Sequence, residues 1–247
     1  MAHLPVSVFT DKAAPTMSER YVHVDTREVI SLMEKEGFYV SGAKSAAPKK
    51  REALYAKHSI EFRHKEAQVI DGATPRIVFV NSHDGSSAAM AVAGVFRFVC
   101  SNGLVVGSTF EKIRQRHAGD AAVELIDRMR ALAKNSDRLF AQIEQWQKID
   151  LSKSQRIAFA SMAGQLRWGD SQMYQPEEIL NVRRAEDDKG DLWSTFNIIQ
   201  ENTVRGGLIG LSRSGRQSTS RPLTDIQRDI SYNAQLWQLA EDVAEVW

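Results

Sequence analysis

Two polar clusters hold the side chains in this sequence best suited to chemistry. The first is Asn81-Ser82-His83-Asp84-Gly85-Ser86-Ser87, directly after the apolar run 77–80. The second is Cys100-Ser101-Asn102-Gly103, which closes the run 90–99, with Arg97 just before it. A histidine beside an aspartate suits general acid/base work or a metal-dependent hydrolase. An enzyme built here would use His83 and Asp84, with Asn81 and Asn102 lining the pocket. Against that, neighbouring residues on a strand point to opposite faces. His58, His64 and His117 supply no zinc or iron spacing. The structural alternative is a tight turn at Asp84-Gly85, with the Asn, Ser and His side chains satisfying backbone groups at the strand end. That alternative leads, and no metal or cofactor is expected. Cys100 has an apolar flank and reads as a buried, unreactive thiol. A phosphate loop, a dinucleotide fingerprint and a GxSxG elbow are all absent from the sequence.

Three basic stretches suggest a different chemistry. They are Lys49, Lys50 and Arg51; Lys112, Arg114 and Arg116, followed by His117; and Arg205, Arg213, Arg216 and Arg221. Arginine on a Gly/Ser-rich scaffold presents forked donors to phosphate and can stack on bases. The plain alternative is solvated connectors. Tyr55 and Trp193 are candidates for base stacking, although aromatics at such spacings belong more often to a core.

Elements that would position these groups follow from periodicity. Residues 1–24 read as an irregular arm. Asp25 or Thr26 caps a helix that Gly37 ends. A short strand over 38–41 precedes the basic loop 42–53. Residues 54–64 alternate as a strand, with His58 on the mostly apolar side as a satisfied core histidine. A turn over 71–75 leads into the two apolar runs, completing an antiparallel meander of three or four strands. From about residue 120 to 148 the period turns helical, as one long helix or two. Further helices follow, capped by Ser152 or Ser154, opened by Pro176, spanning 192–204, and capped by Thr224 or Asp225. The segment 205–225 reads as a mobile Gly/Ser/Arg loop. The fold class is α+β: an antiparallel β-meander followed by a long helix, a β-β-β-α core, with additional C-terminal helices. The expected organisation is an arm (1–24), an α+β core (25–170) and a helical C-terminal region (171–247).

Composition bounds the partners. A net charge of +1 over 247 residues means that any nucleic-acid surface must be a local patch. The single cysteine cannot form an internal disulfide, which fits a reducing compartment. No apolar run is long enough for a bilayer and no signal peptide is visible, so the cytoplasm is the expected location.

The two clusters and the C-terminal third carry a resemblance. Its residues are Asn81 to Ser86, Arg97-Phe98-Val99-Cys100-Ser101-Asn102-Gly103-Leu104, His117, Leu192-Trp193, Phe196-Asn197, Gln200-Glu201-Asn202, Arg205-Gly206-Gly207 and Asn233-Ala234-Gln235-Leu236-Trp237. These resemble a domain-of-unknown-function family encoded by phages, prophages and plasmids. The resemblance implies work on DNA or on host defence, in the host cytoplasm. By element order alone, the meander and long helix also look like single-strand annealing recombinases, which is analogy. The leading expectation is a non-enzymatic single-stranded-DNA-binding protein, a homo-oligomeric annealing or recombination mediator. The alternatives are a protein that blocks a host defence or regulatory protein, and the enzyme built on Asn81, His83, Asp84 and Asn102.

Overall fold

The computed structural model describes residues 3–46, 52–67, 73–97, 113–115, 129, 136–169, 174–211 and 214–247. They fall into two compact units, one drawn from Met1–Val105 and Thr109–Asp137, the other from Arg138–Trp247.

Among the described residues, the first unit is an antiparallel meander with a helix packed on one face. Strands β1 (Phe38–Ser45), β2 (His58–His64), β3 (Ala73–Asn81), β4 (Ala89–Arg97) and β5 (Ile113–Gln115) lie in sequence order in one sheet. Helix α1 (Thr26–Lys35) is capped by Asp25, whose carboxylate accepts the Arg27 backbone N–H. Its Val29 and Met33 are fully buried with Ile60, Phe62, Ile77 and Phe79, which is the expected pairing of a helix stripe with one sheet face. On β3 and β4 the other face is closed too, since Val78, Val80, Met90 and Val92 are buried. Burial on both faces is why these runs are continuously apolar rather than alternating. β3 starts earlier than the turn expected at 71–75. Pro75 is tolerated there because it pairs with Val95 of β4 while pairing with β2 begins only at Ile77. Residues 53–55 form a 3₁₀ turn rather than the start of β2.

Over residues 3–24 the arm is irregular in backbone apart from a 3₁₀ turn, Val6–Phe9, but it is not separate in packing. Val8 and Val24 belong to the same core as α1 and the sheet.

The second unit is helical. It contains α2 (Ser136–Trp146), α3 (Lys153–Trp168), the single turn α4 (Pro176–Ile179), α5 (Leu192–Arg205) and α6 (Ile226–Val246). Ser152 and Gln155 form a reciprocal capping box on α3, and Asp191 and Asp225 cap α5 and α6. α5 is the central helix: every residue from Leu192 to Val204 is buried. Trp146, Trp193, Phe196 and Trp237 pack in one cluster, with Trp146 and Trp237 centroids 4.3 Å apart. Trp193 is therefore a core residue rather than a base-stacking one. The boundary between the units falls within α2, at Asp137–Arg138, not near residue 170. The segment 205–225 is not a plain loop. It holds a two-stranded antiparallel ribbon, β6 (Ile209–Leu211) with β7 (Gln217–Thr219).

Candidate functional site

The first polar cluster is a socket for the N-terminal arm. Asn81, Ser82 and His83 are fully buried at the end of β3. The Asn81 amide donates to Val24 O at 2.9 Å and to Thr26 Oγ1 at 3.0 Å, and its oxygen accepts the Ser82 N–H. The Ser82 carbonyl accepts from the Tyr21 hydroxyl at 2.9 Å. His83 donates from Nε2 to Ser7 O at 3.0 Å, and its carbonyl accepts the Ala14 N–H at 2.8 Å. Asp84 accepts the Ser86 N–H, and Gly85 takes φ +70, the turn that Asp-Gly favours. Burial, and then the Asp84 charge, push the Tyr21 hydroxyl up to about 12.

A relay of hydrogen bonds ties α1 to this socket. Thr26 Oγ1 accepts from Asn81, so its own proton points at His58 Nε2, 2.9 Å away. His58 Nδ1 then carries the other proton and donates to Ala56 O at 3.1 Å. Both ring nitrogens are used, as expected for a satisfied core histidine. Burial pushes His58 down to about 4. The rings of His23 and His58 lie 4.6 and 5.3 Å from that of His83. Among the described residues, no group of three or more His, Cys, Asp or Glu is placed to hold a metal ion. His83 and Asp84 thus sit in contacts that join chain segments. Cys100, Ser101 and Asn102, and with them the second half of the enzyme reading, lie outside the described residues.

The basic residues divide in the same way. Lys49, Lys50, Arg51, Lys112, Arg116 and Arg213 lie outside the described residues. Arg97 ends β4 opposite Ala73, and Arg114 is central in β5 opposite Met90. Arg205, Arg216 and Arg221 belong to the second unit, where they have company that sequence reading did not find.

The C-terminal end of α5 gathers arginines from two other segments, Arg167 of α3 and the pair Arg183-Arg184, beside its own Arg205. Arg184 grips Glu201 with two parallel bonds of 3.0 Å, and Arg205 adds one of 2.6 Å. Burial pushes the Glu201 carboxyl up, but the two guanidiniums outweigh it and hold it below its ordinary value. One carboxylate between two guanidiniums leaves one positive charge. Arg183 bonds Asn202 Oδ1 and, at 2.8 Å, Gly206 O. Arg167 bonds Thr203 O at 3.1 Å and Arg221 O at 3.3 Å. Thr203 O and Gly206 O belong to the electronegative end of the helix, a natural seat for cations. Arg228 is close enough to Arg167 that, after burial, it helps lower the Arg167 pKa.

The ribbon is fastened to this end. Gly206 and Gly207 both have positive φ, at +69 and +83. A Cβ on Gly206 would lie 2.6 Å from Ser220 O, so only glycine lets the strands approach this closely. Gly207 N–H donates to Ser220 O and Ser220 N–H to Leu208 O, each at 2.9 Å. Arg216 and Arg221 are exposed. No Asp or Glu occurs between residues 202 and 224.

Comparison with known proteins agrees with the family resemblance. The chain is 34% identical to the UPF0380 protein YafZ of Escherichia coli (strain K12) over 239 residues, covering 95% of this chain and 86% of that protein. It is 33% identical to the UPF0380 protein YfjQ of the same organism, with the same coverage. No solved structure matches. The family described as Domain of unknown function (DUF932) matches residues 15–237, and the chain belongs to it.

Proposed function

We propose that this protein binds single-stranded DNA through the arginine-flanked ribbon of its second unit, as a non-enzymatic mediator of annealing or recombination. The carrying observation is the acid-free stretch 202–224, with its four arginines, folded onto a helix end where Arg167, Arg183 and Arg184 converge. Arg216 and Arg221 are exposed on this stretch, and guanidiniums so presented suit a row of phosphates. The overall charge of +1 then matters little, because the field is local. Release of counterions drives binding, so affinity falls steeply with salt. Titration of a fluorescent oligonucleotide at low and at moderate salt is the test. No binding to DNA or RNA at low salt removes the proposal.

A second reading, docking onto a host protein, is favoured by one feature of the first unit. Val6 and Phe9 of the N-terminal 3₁₀ turn are 53% and 56% exposed, beside Leu54 at 49%. Thr10 bonds Leu54 O, which holds the two turns together. Such a patch suits an apolar partner surface. A nuclease-treated pull-down that returns a stoichiometric protein, lost on Phe9→Ser, supports this reading over the first.

A further inference from the structure

The ribbon has two faces, and one of them is not made for phosphate. Ile209 pairs with Thr219 and Leu211 with Gln217, so these four side chains stand on the same face, while Gly210 and Ser218 take the other. Ile209 is 55% exposed and Leu211 60%, and Gln217 and Thr219 are exposed beside them. The apolar pair is flanked along the chain by Arg205, Arg216 and Arg221 and by no acid. A protein partner with an apolar face would place the exposed Arg216 and Arg221 at its rim. An unpaired nucleic-acid strand matches all three features at once. Its base faces are apolar, its base edges take hydrogen bonds from an amide and a hydroxyl, and its phosphates are regularly spaced anions. In a duplex the base faces are stacked away from such a surface.

We infer that Ile209 and Leu211 pack on exposed bases, with Gln217 and Thr219 at the base edges, so that the ribbon selects unpaired strands over duplex. This rests on the nucleic-acid reading above and adds its specificity. Contact with bases contributes affinity that salt does not screen, whereas the arginine contacts set the salt slope.

The test compares the full-length protein with the double variant I209S/L211S and with R216A/R221A. The probes are labelled oligothymidylate and the same strand annealed to oligoadenylate. Tryptophan fluorescence checks folding, since all five tryptophans lie in the second unit. The expected result is that I209S/L211S weakens binding to the single strand about tenfold at every salt concentration, with the slope of log K against log salt unchanged. R216A/R221A instead flattens the slope. Should the unvaried protein bind and I209S/L211S bind equally well, the inference fails while the nucleic-acid reading stands. Equal affinity of the unvaried protein for duplex and single strand overturns the inference too. If light scattering shows I209S/L211S turning an oligomer into a monomer, the face joins copies of this chain and the inference is wrong. Photocrosslinking of a bromouridine-substituted strand to the unvaried protein needs no substitution: adducts on 205–221 support the inference, and adducts confined elsewhere defeat it. Absence of any binding sinks both readings.

Discussion

Acidification should weaken the first unit through one buried ring. His58 is fully enclosed, with Nδ1–H on Ala56 O and Nε2 receiving the Thr26 hydroxyl. Its pKa falls from 6.5 to about 4 on folding. Between those values the unfolded chain takes up a proton that the folded chain refuses, so lowering the pH favours unfolding. The contribution is fully present above about pH 6.5, declines as pH falls, and is gone below about pH 4. The shift corresponds to roughly 3 kcal/mol over the whole window, of which about 2 kcal/mol is lost between pH 7 and pH 5. His23, also shifted downward, adds in the same direction. Hydrogen exchange of the β2 and β3 amides, corrected for intrinsic rates, reads this loss. Tryptophan fluorescence reads the other unit and serves as the control. Gln at position 58 keeps an acceptor for the Thr26 hydroxyl and cannot be protonated in this range. His58→Gln should therefore lower stability at pH 7 but remove most of the pH dependence. If the amides of His58→Gln lose as much protection between pH 7 and pH 5 as those of the unvaried protein, the assignment to His58 is wrong.

Other expectations follow from the same contacts. Asn81→Ala strips Val24 O and Thr26 of a buried donor and should cost about 2 kcal/mol, with faster exchange at the Val24–Thr26 junction. Gly206→Ala brings a Cβ against Ser220 O and Arg221 at a positive φ; a penalty of about 2 kcal/mol in urea unfolding, followed by tryptophan fluorescence, is expected. Glu201→Gln takes the carboxylate from Arg184, whose side chain is only 14% exposed, and should cost about 3 kcal/mol. Arg205→Ala, at a side chain 42% exposed, should cost under about 1 kcal/mol in the same measurement. Equal costs for the last two would mean that the network is not layered as described.

The fold was legible where one element decides its own form. The caps at Asp25, Ser152 and Asp225, the meander and the core placement of His58 all follow from local pattern. The arm misled because its anchors are one or two residues each: Ser7, Ala14 and Tyr21 reach partners about sixty to seventy-five positions away. α5 misled differently. Its Asn197, Gln200 and Glu201 make an unusually polar remainder beside the apolar face, yet each has an internal partner: Trp193 O, Asn233 and Arg184. The arginines at 167, 183 and 184 carry no spacing signal, since only tertiary packing brings them to one helix end.

Two of the motifs that carry the family resemblance thus share a physical role. Asn81-Ser82-His83 fastens the arm, and Arg205-Gly206-Gly207 fastens the ribbon. Asn81 and His83 bond backbone carbonyls of the arm and the Gly207 N–H bonds Ser220 O, all at distances near 3 Å, while Arg205 holds Glu201. A donor already committed to a buried carbonyl has little left to offer a substrate. Chemistry or recognition must then come from what the fastenings hold in place rather than from the fastenings. In the second unit the held element is the ribbon with Arg216 and Arg221 exposed on it. That places the search for a ligand on side chains that the Gly/Ser/Arg composition also singles out, beside the plainer reading of a solvated loop.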